Sequence, residues 1–308
     1  MFKYLYIILL TFLCSCSVSN NFGITIENDI VGGSDKNYTH GTILTNSVGY
    51  AKATKKLRQA ARFLPAIRIY DNDPDKLTRI KTRFGQEIHT PSDIGVVELI
   101  ENNNPYAGLL FTQLTRVNAD ADFRIETSLT IGLVGKYSFS EHAQKFVHND
   151  LGKGKDPKGW DHQLPHELVL NLEYLRSKKF VYGRFIDRVS EIRFRSGNIY
   201  TDFNYKNLFR VGRNLPQLDG SHTERVSAYA FGGTNIALVG RNIFYDGTLF
   251  RKSHSVDTKH FVSSLHTGVG LEYLGYSVKF NVIGSTRQYS EQEDRFSIYG
   301  GLVFGADW

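Results

Sequence analysis

The chain has 308 residues, is rich in Tyr (17), Phe (21) and Gly (28) and poor in Met (1) and Trp (2), a balance that fits a β-protein with many turns and argues against a helical bundle. Its net charge of +6 suits a partner rich in phosphate, either nucleic acid or lipopolysaccharide. Both cysteines, Cys14 and Cys16, lie at the end of the N-terminal apolar run, which leaves at most one in a mature chain and excludes a disulfide.

The N-terminus, MFKYLYIILLTFLCSC, has one early lysine, an apolar run over 5–13 and then small residues. That run is far short of the ~20 residues a spanning helix needs, so 1–19 reads as a secretory signal peptide and 20–308 as a single domain. Two cleavage readings stand side by side: a lipobox-like Leu13-Cys14-Ser15-Cys16 with Cys16 lipidated, or ordinary cleavage after Ser15, Ser17 or Ser19. After residue 20 no apolar run is long enough for a membrane helix, which leaves a soluble exported protein or a membrane β-barrel. An exported chain with no nucleic-acid motif favours lipopolysaccharide as the phosphate-rich partner.

Period-2 alternation predicts strands at 22–29, 39–50, 78–90, 106–117, 123–135, 166–176, 180–196, 205–214, 224–240, 260–274, 276–288 and 294–306. In 261–273 the residues Phe261, Leu265, Val269, Leu271 and Tyr273 share one face, while the other carries His266, Glu272 and glycines. Twelve strands of mostly ten residues or more are long for a globular sheet and close to what a tilted membrane strand requires. An even count closes an up-and-down barrel with short turns on one side (118–122, 177–179, the Gly275 turn) and long loops on the other (136–165, 241–259). The fold expected is therefore an all-β, transmembrane, antiparallel up-and-down barrel with a short helix in an extracellular loop, most simply a monomer in the outer membrane. The exception among the short turns is 51–77, whose AKATKKLRQAARFL reads as a short basic amphipathic helix suited to the inner membrane surface. Within it, Asp71-Asn72-Asp73-Pro74-Asp75 opens like a calcium loop but lacks the glycine and the bidentate Glu that such a loop needs, and a solvated turn explains it better.

Polar groups from three separate stretches share the long-loop rim: Glu27, Asn28 and Asp29; Tyr38 and Thr39; and the insertion EHAQKFVHNDLGKGKDPKGWDHQL over 141–164. Helical spacing from Glu141 to Leu151, ended by Gly152, places Gln144 and His148 on one face. A neutral histidine beside a carboxylate-bound cation can deprotonate a water that attacks an ester. Asp29, Asn28 and backbone carbonyls are oxygen donors, which suits Ca²⁺ over Zn²⁺. On residue types alone the plainer reading stays open: a solvated loop histidine, and an Asn-Asp turn before Gly32 and Gly33. His162 and His166 are separated by Pro165, which opposes a helical zinc pair, and no G-x-S-x-G elbow is present.

The stretches NFGITIENDIVGGSDKNYTHG, GQEIHTPSD, NNPYAGLLF, AQKFVHNDLG with KGWDHQL, and GRNIFYDGTLFRKS together resemble the outer-membrane lipid A 3'-O-deacylase family of the LpxR type. The resemblance covers essentially the whole mature chain in the family's order and implies a twelve-stranded barrel that removes the 3'-position ester-linked acyl chain of lipid A with calcium. It implies Asp29 as calcium ligand, His148 as the base for water, and Asn28, Thr39 and Gln144 as further site residues; for Gln163 it implies proximity only. Two departures concern phosphate recognition. The basic residues expected after the third strand are missing from TPSDIGVVE, and Asn103-Asn104 stands where Asp-Arg is common. Lys145, Lys153, Lys155 and Lys158 are candidates to replace that charge as point contacts. The competing readings are a non-enzymatic barrel that binds lipopolysaccharide, a channel, and a phospholipase-type barrel esterase.

Overall fold

The computed structural model describes residues 21–32, 37–64, 79–150, 155–221 and 226–307. The signal segment with Cys14 and Cys16, Gly33, the run from Asp71 to Asp75, Leu151, Gly152, Lys153 and Trp308 lie outside the described residues.

Twelve strands pair in sequence order, each antiparallel to the next, and the first closes on the last to make a barrel. They are β1 (Asn21–Asn28), β2 (Asn37–Gly49), β3 (Arg79–Thr90), β4 (Ala107–Ala119), β5 (Phe123–Val134), β6 (Glu167–Val181), β7 (Ile186–Gly197), β8 (Tyr200–Arg213), β9 (Val226–Asn242), β10 (Phe261–Tyr273), β11 (Tyr276–Thr286) and β12 (Phe296–Asp307). Three short helices decorate the ends: α1 (Lys55–Arg62), α2 (Ser140–Lys145) and α3 (Ile243–Asp246).

The alternation turns the expected faces outward. Leu168, Leu170, Leu172, Phe209, Val211, Leu238, Leu265, Val269, Leu271, Phe280 and Phe304 are all exposed, a belt of apolar side chains that water would not tolerate and hydrocarbon does. The opposite face fills the bore with paired charges. Lys81 meets Glu126 at 2.7 Å, Lys206 meets Glu191 at 2.7 Å, and Arg210 grips both Asp187 oxygens at 2.7 and 2.6 Å.

Two strand boundaries differ from the expectation for one reason. Polar runs that read as turns in sequence are inward-facing strand residues satisfied inside the bore. Ser177, Lys178 and Lys179 belong to β6, where Lys179 reaches Asp122 at 2.8 Å, and the turn falls instead at 182–185. Likewise β8 starts at Tyr200, five residues earlier than expected, because Asp202 pairs with Arg195 across the strand pair.

Described segments fold over part of each mouth. At the long-loop end α3 folds inward and buries Ile243, Phe244 and Tyr245. Asn242 caps it, accepting from the Phe244 N–H at 3.1 Å, and Asp246 accepts from the Asn242 N–H at 2.6 Å. At the short-turn end the 214–221 segment crosses the opening, tied by Leu218 N–H to the Ala121 carbonyl at 3.0 Å and by Arg210 to the Pro216 carbonyl at 2.9 Å.

Candidate functional site

Strand register decides on which side of the wall the candidate residues stand. Asn28 pairs with His40, His40 with Ile88, and Ile88 with Gly108, so these four share a face. Their neighbours Glu27, Glu87 and Leu109 line an internal cavity of about 370 Å³, so the Asn28 face is the outer one. Thr39 is the extra residue where the register shifts between Tyr38 and His40. Its hydroxyl lies 2.6 Å from that of Thr90, two residues along from Ile88, which brings it to the same outer face. The Asn28 amide donates to the Thr39 carbonyl at 3.0 Å, and the carboxylate-bearing Asp29 follows at once, 2 % exposed, at the head of a 3-10 turn (Asp29–Gly32).

The 135–166 insertion covers this patch from outside. Gln86 Nε2 donates to the Ser138 carbonyl at 2.7 Å, and Ser138 and Ser140 press on Gly108 so closely that a Cβ there would sit 2.2 Å from their hydroxyl oxygens. Glycine is what allows the insertion to touch the wall. Phe139, in a left-handed conformation (φ 60°), turns the chain into α2, an arrangement that costs a bulky residue energy and needs surrounding contacts to hold it. The helix it leads into is seated through Ala143 on a cluster of Ile88, Ile94, Tyr106 and Trp160.

Gln144 and His148 take different positions from those that a single straight helix implies. α2 ends at Lys145, and the chain continues as one wider π-helical turn, Phe146–Asp150. Such turns recur at functional sites because they re-aim one side chain. Gln144 is buried, and its Oε1 accepts from Trp160 Nε1 at 2.9 Å, so it fixes the insertion. His148 is partly exposed, with Nδ1 2.8 Å from the Lys155 carbonyl. A carbonyl only accepts, so Nδ1 carries the hydrogen and the neutral ring keeps its basic lone pair on Nε2.

Two of the candidate lysines, Lys145 and Lys155, are already engaged. Lys145 pairs with Glu141 at 2.7 Å, and Lys155 pairs with Asp93 at 2.6 Å, its stem lying across Gly95. That hydrogen bond, with the Gly95 N–H second, holds the Asp93 carboxyl below its ordinary range. Gln163 donates to the Trp160 carbonyl at 3.0 Å, inside the insertion. Among the described residues no group of three or more His, Cys, Asp or Glu is placed to hold a metal. The donors around Asp29 are one carboxylate with amide, carbonyl and hydroxyl oxygens, a set that fits a hard cation such as Ca²⁺ and not a thiolate- or imidazole-seeking one.

A family model described as outer membrane protein LpxR matches residues 5–308. The chain belongs to the LpxR family. LpxR from Salmonella typhimurium has the same fold, with a TM-score of 0.72 at 17% identity over 94% of this chain and 100% of that one. The β-domain of the Bordetella autotransporter Brka aligns at TM-score 0.45 and 10% identity (95% of this chain, 100% of that one), and the KdgM porin at 0.40 and 6% (94% and 99%). A search of curated protein sequences finds no match. With the family established, the apolar belt places this LpxR-family chain in the outer membrane.

Trp160, which carries the insertion, was not singled out in sequence, and Asn103-Asn104 in NNPYAG, noted there only as a departure from the family pattern, is a junction of loops. Asn104 donates to the Thr90 carbonyl at 2.9 Å, Asn103 accepts from Tyr289 at 2.9 Å, and the Asn103 carbonyl lies 2.8 Å from His254 Nε2. An asparagine pair just before Pro is a turn signal in sequence, and nothing local shows that its partners lie on three other segments.

Proposed function

We propose that this LpxR-family protein is a calcium-dependent lipid A 3'-O-deacylase of the outer membrane, with its site at the extracellular, long-loop end. The observation that carries the reading is the position of the site. Asn28, Thr39 and the covering insertion lie on the lipid-facing side of the wall, where a substrate can present an ester while its acyl chains stay in the bilayer. A soluble substrate entering through the bore would call for the opposite face.

In this reading His148 Nε2 takes a proton from water, and the resulting hydroxide adds to the ester carbonyl carbon. Collapse of the tetrahedral species breaks the bond to the sugar oxygen, which takes up the proton, giving a free fatty acid and an under-acylated lipid A. A calcium ion held by Asp29 and neighbouring oxygen groups would supply positive charge where the carbonyl oxygen turns negative. The Asn28 bond to the Thr39 carbonyl, and the Thr39 bond to Thr90, keep the floor of the site in one geometry. Lys145, Lys155 and Gln163 of the insertion, with Lys153 outside the described residues, are assigned to the phosphates and sugar. The lysines must exchange their carboxylate partners to do so.

The test is mass spectrometry of lipid A from a Gram-negative host expressing the protein, with calcium or a chelator, beside Asp29→Ala and His148→Ala. Calcium-dependent loss of the 3' acyl mass, absent in both variants, is expected. Unchanged lipid A from a folded barrel would leave lipopolysaccharide binding without turnover. Release of fatty acid from labelled phosphatidylethanolamine instead would move the substrate to glycerophospholipid.

A further inference from the structure

The helix α1 sits where nothing in the proposed reaction needs it. Thr54 caps it, accepting from the Leu57 N–H at 3.3 Å, and its apolar residues Leu57 and Ala61 join a cluster with Val48, Ala53, Ile80 and Leu114. Register again gives the side. Arg79 and Lys81 line the space inside the short-turn mouth, so Ile80 between them faces out, as do its partner Val48 and Leu114, the partner of Thr82. Ile80 nonetheless has no exposed surface. The helix therefore lies against the outer wall of the barrel at its short-turn end, beside the apolar belt, instead of hanging below the mouth.

What α1 presents to its surroundings is basic and aromatic. Lys55, Lys56 and Arg62 are exposed, as is Lys52 in the flanking turn, Arg58 lies 5.9 Å over the Tyr50 ring, and the 50–64 segment contains no acidic residue. Phe63, at the end of the helix, is 89% exposed, while Arg62 Nε donates to the Tyr50 hydroxyl at 3.1 Å. Around the rest of the same rim Tyr182, Phe185, Tyr273 and Tyr276 are exposed, the aromatic girdle that marks the level of the headgroups. A cationic helix with an outward ring, held at that level on the lipid-facing wall, is complementary to one chemistry.

We propose that α1 and its flanking turn dock onto anionic phospholipid headgroups of the leaflet that meets the short-turn end, with Phe63 inserted beside them. The full-length protein carrying Phe63→Trp would be reconstituted into phosphatidylcholine bilayers containing phosphatidylglycerol, with one lipid or the other brominated on its acyl chains, and the parent's indole signal subtracted. Stronger quenching of the introduced indole by brominated phosphatidylglycerol is expected, as is loss of that preference when Lys52, Lys55 and Lys56 are changed to Gln and its retention when they are changed to Arg. Equal quenching by the two lipids would overturn the anionic assignment, and no quenching by either would overturn membrane docking altogether. Heat-modifiable gel migration, which reports the folded barrel, separates both outcomes from misfolding.

Discussion

At the residue scale the proposed reaction rests on how one imidazole is held. The Lys155 carbonyl fixes the hydrogen of His148 on Nδ1, so removing the ring should cost rate without cost to the barrel. His148→Ala is expected to lower kcat by about 10²–10⁴-fold, with heat-modifiable migration unchanged. The segment that supplies this carbonyl is itself clasped by the Lys155–Asp93 pair. Asp93 is held below its ordinary carboxyl range in the folded protein, so whatever the clasp contributes is present above the unfolded value and lost only as pH falls through the lower, folded one. Hydrogen exchange of residues 155–158 should therefore be alike at about pH 7 and about pH 5 apart from the intrinsic rate, whereas Asp93→Asn should raise it at both. A wild-type opening between those two values would show that the clasp is not what orders the segment. In sequence, Asp93 and Lys155 were 62 positions apart, and no spacing rule connects two loops that meet only because β3 and β5 end at the same rim on either side of β4.

At the element scale the insertion behaves as a lid fastened by one tryptophan. Trp160 is 1% exposed, packs on Tyr106 with ring centroids 4.8 Å apart and donates to Gln144. Trp160→Ala removes both packing and hydrogen bond and should free the insertion at a local cost of about 3–5 kcal/mol. Trp160→Phe keeps most of the packing, leaves the Gln144 carbonyl oxygen unsatisfied and should cost about 1–3 kcal/mol. Limited proteolysis within 146–158 should then follow the order Ala, Phe, wild type, while the barrel stays intact; equal cleavage of all three would mean the lid is held elsewhere. The twelve strands were legible because alternation is a local property and survives in each segment alone. The strand continuing through 177–179 and the early start of β8 were missed because alternation has no polarity rule for a bore: Lys179 and Asp202 look like loop residues until Asp122 and Arg195 come opposite them. For the same reason Gln144 and His148 were placed on one straight helical face, since helical spacing carries no sign of the π turn at 146–150 or of the Trp160 bond to Gln144.

At the scale of the whole molecule, an outward apolar belt and a charge-filled bore are two consequences of one alternating pattern, and together they separate the proposed wall-side reaction from transport through the bore. Two closures act in series. Phe244 stacks on His89, with ring centroids 3.5 Å apart, under the long-loop mouth, and Arg210 ties the 214–221 segment across the other. Between them the Lys81–Glu126 and Lys206–Glu191 pairs line the inner wall, each joining neighbouring or next-neighbouring strands. A series of plugs conducts only when all are open, so the wild-type protein in a planar bilayer should show no steady conductance. Phe244→Ala should show none either, because the 214–221 segment at the other end remains. Arg210→Ala leaves Asp187 buried without its bidentate partner, and should destabilise the barrel by about 3–5 kcal/mol while still failing to open a path, since the upper closure is untouched. Steady ion flow through either single variant would mean that the bore is a gated channel, and that the wall-side site is an accessory to it.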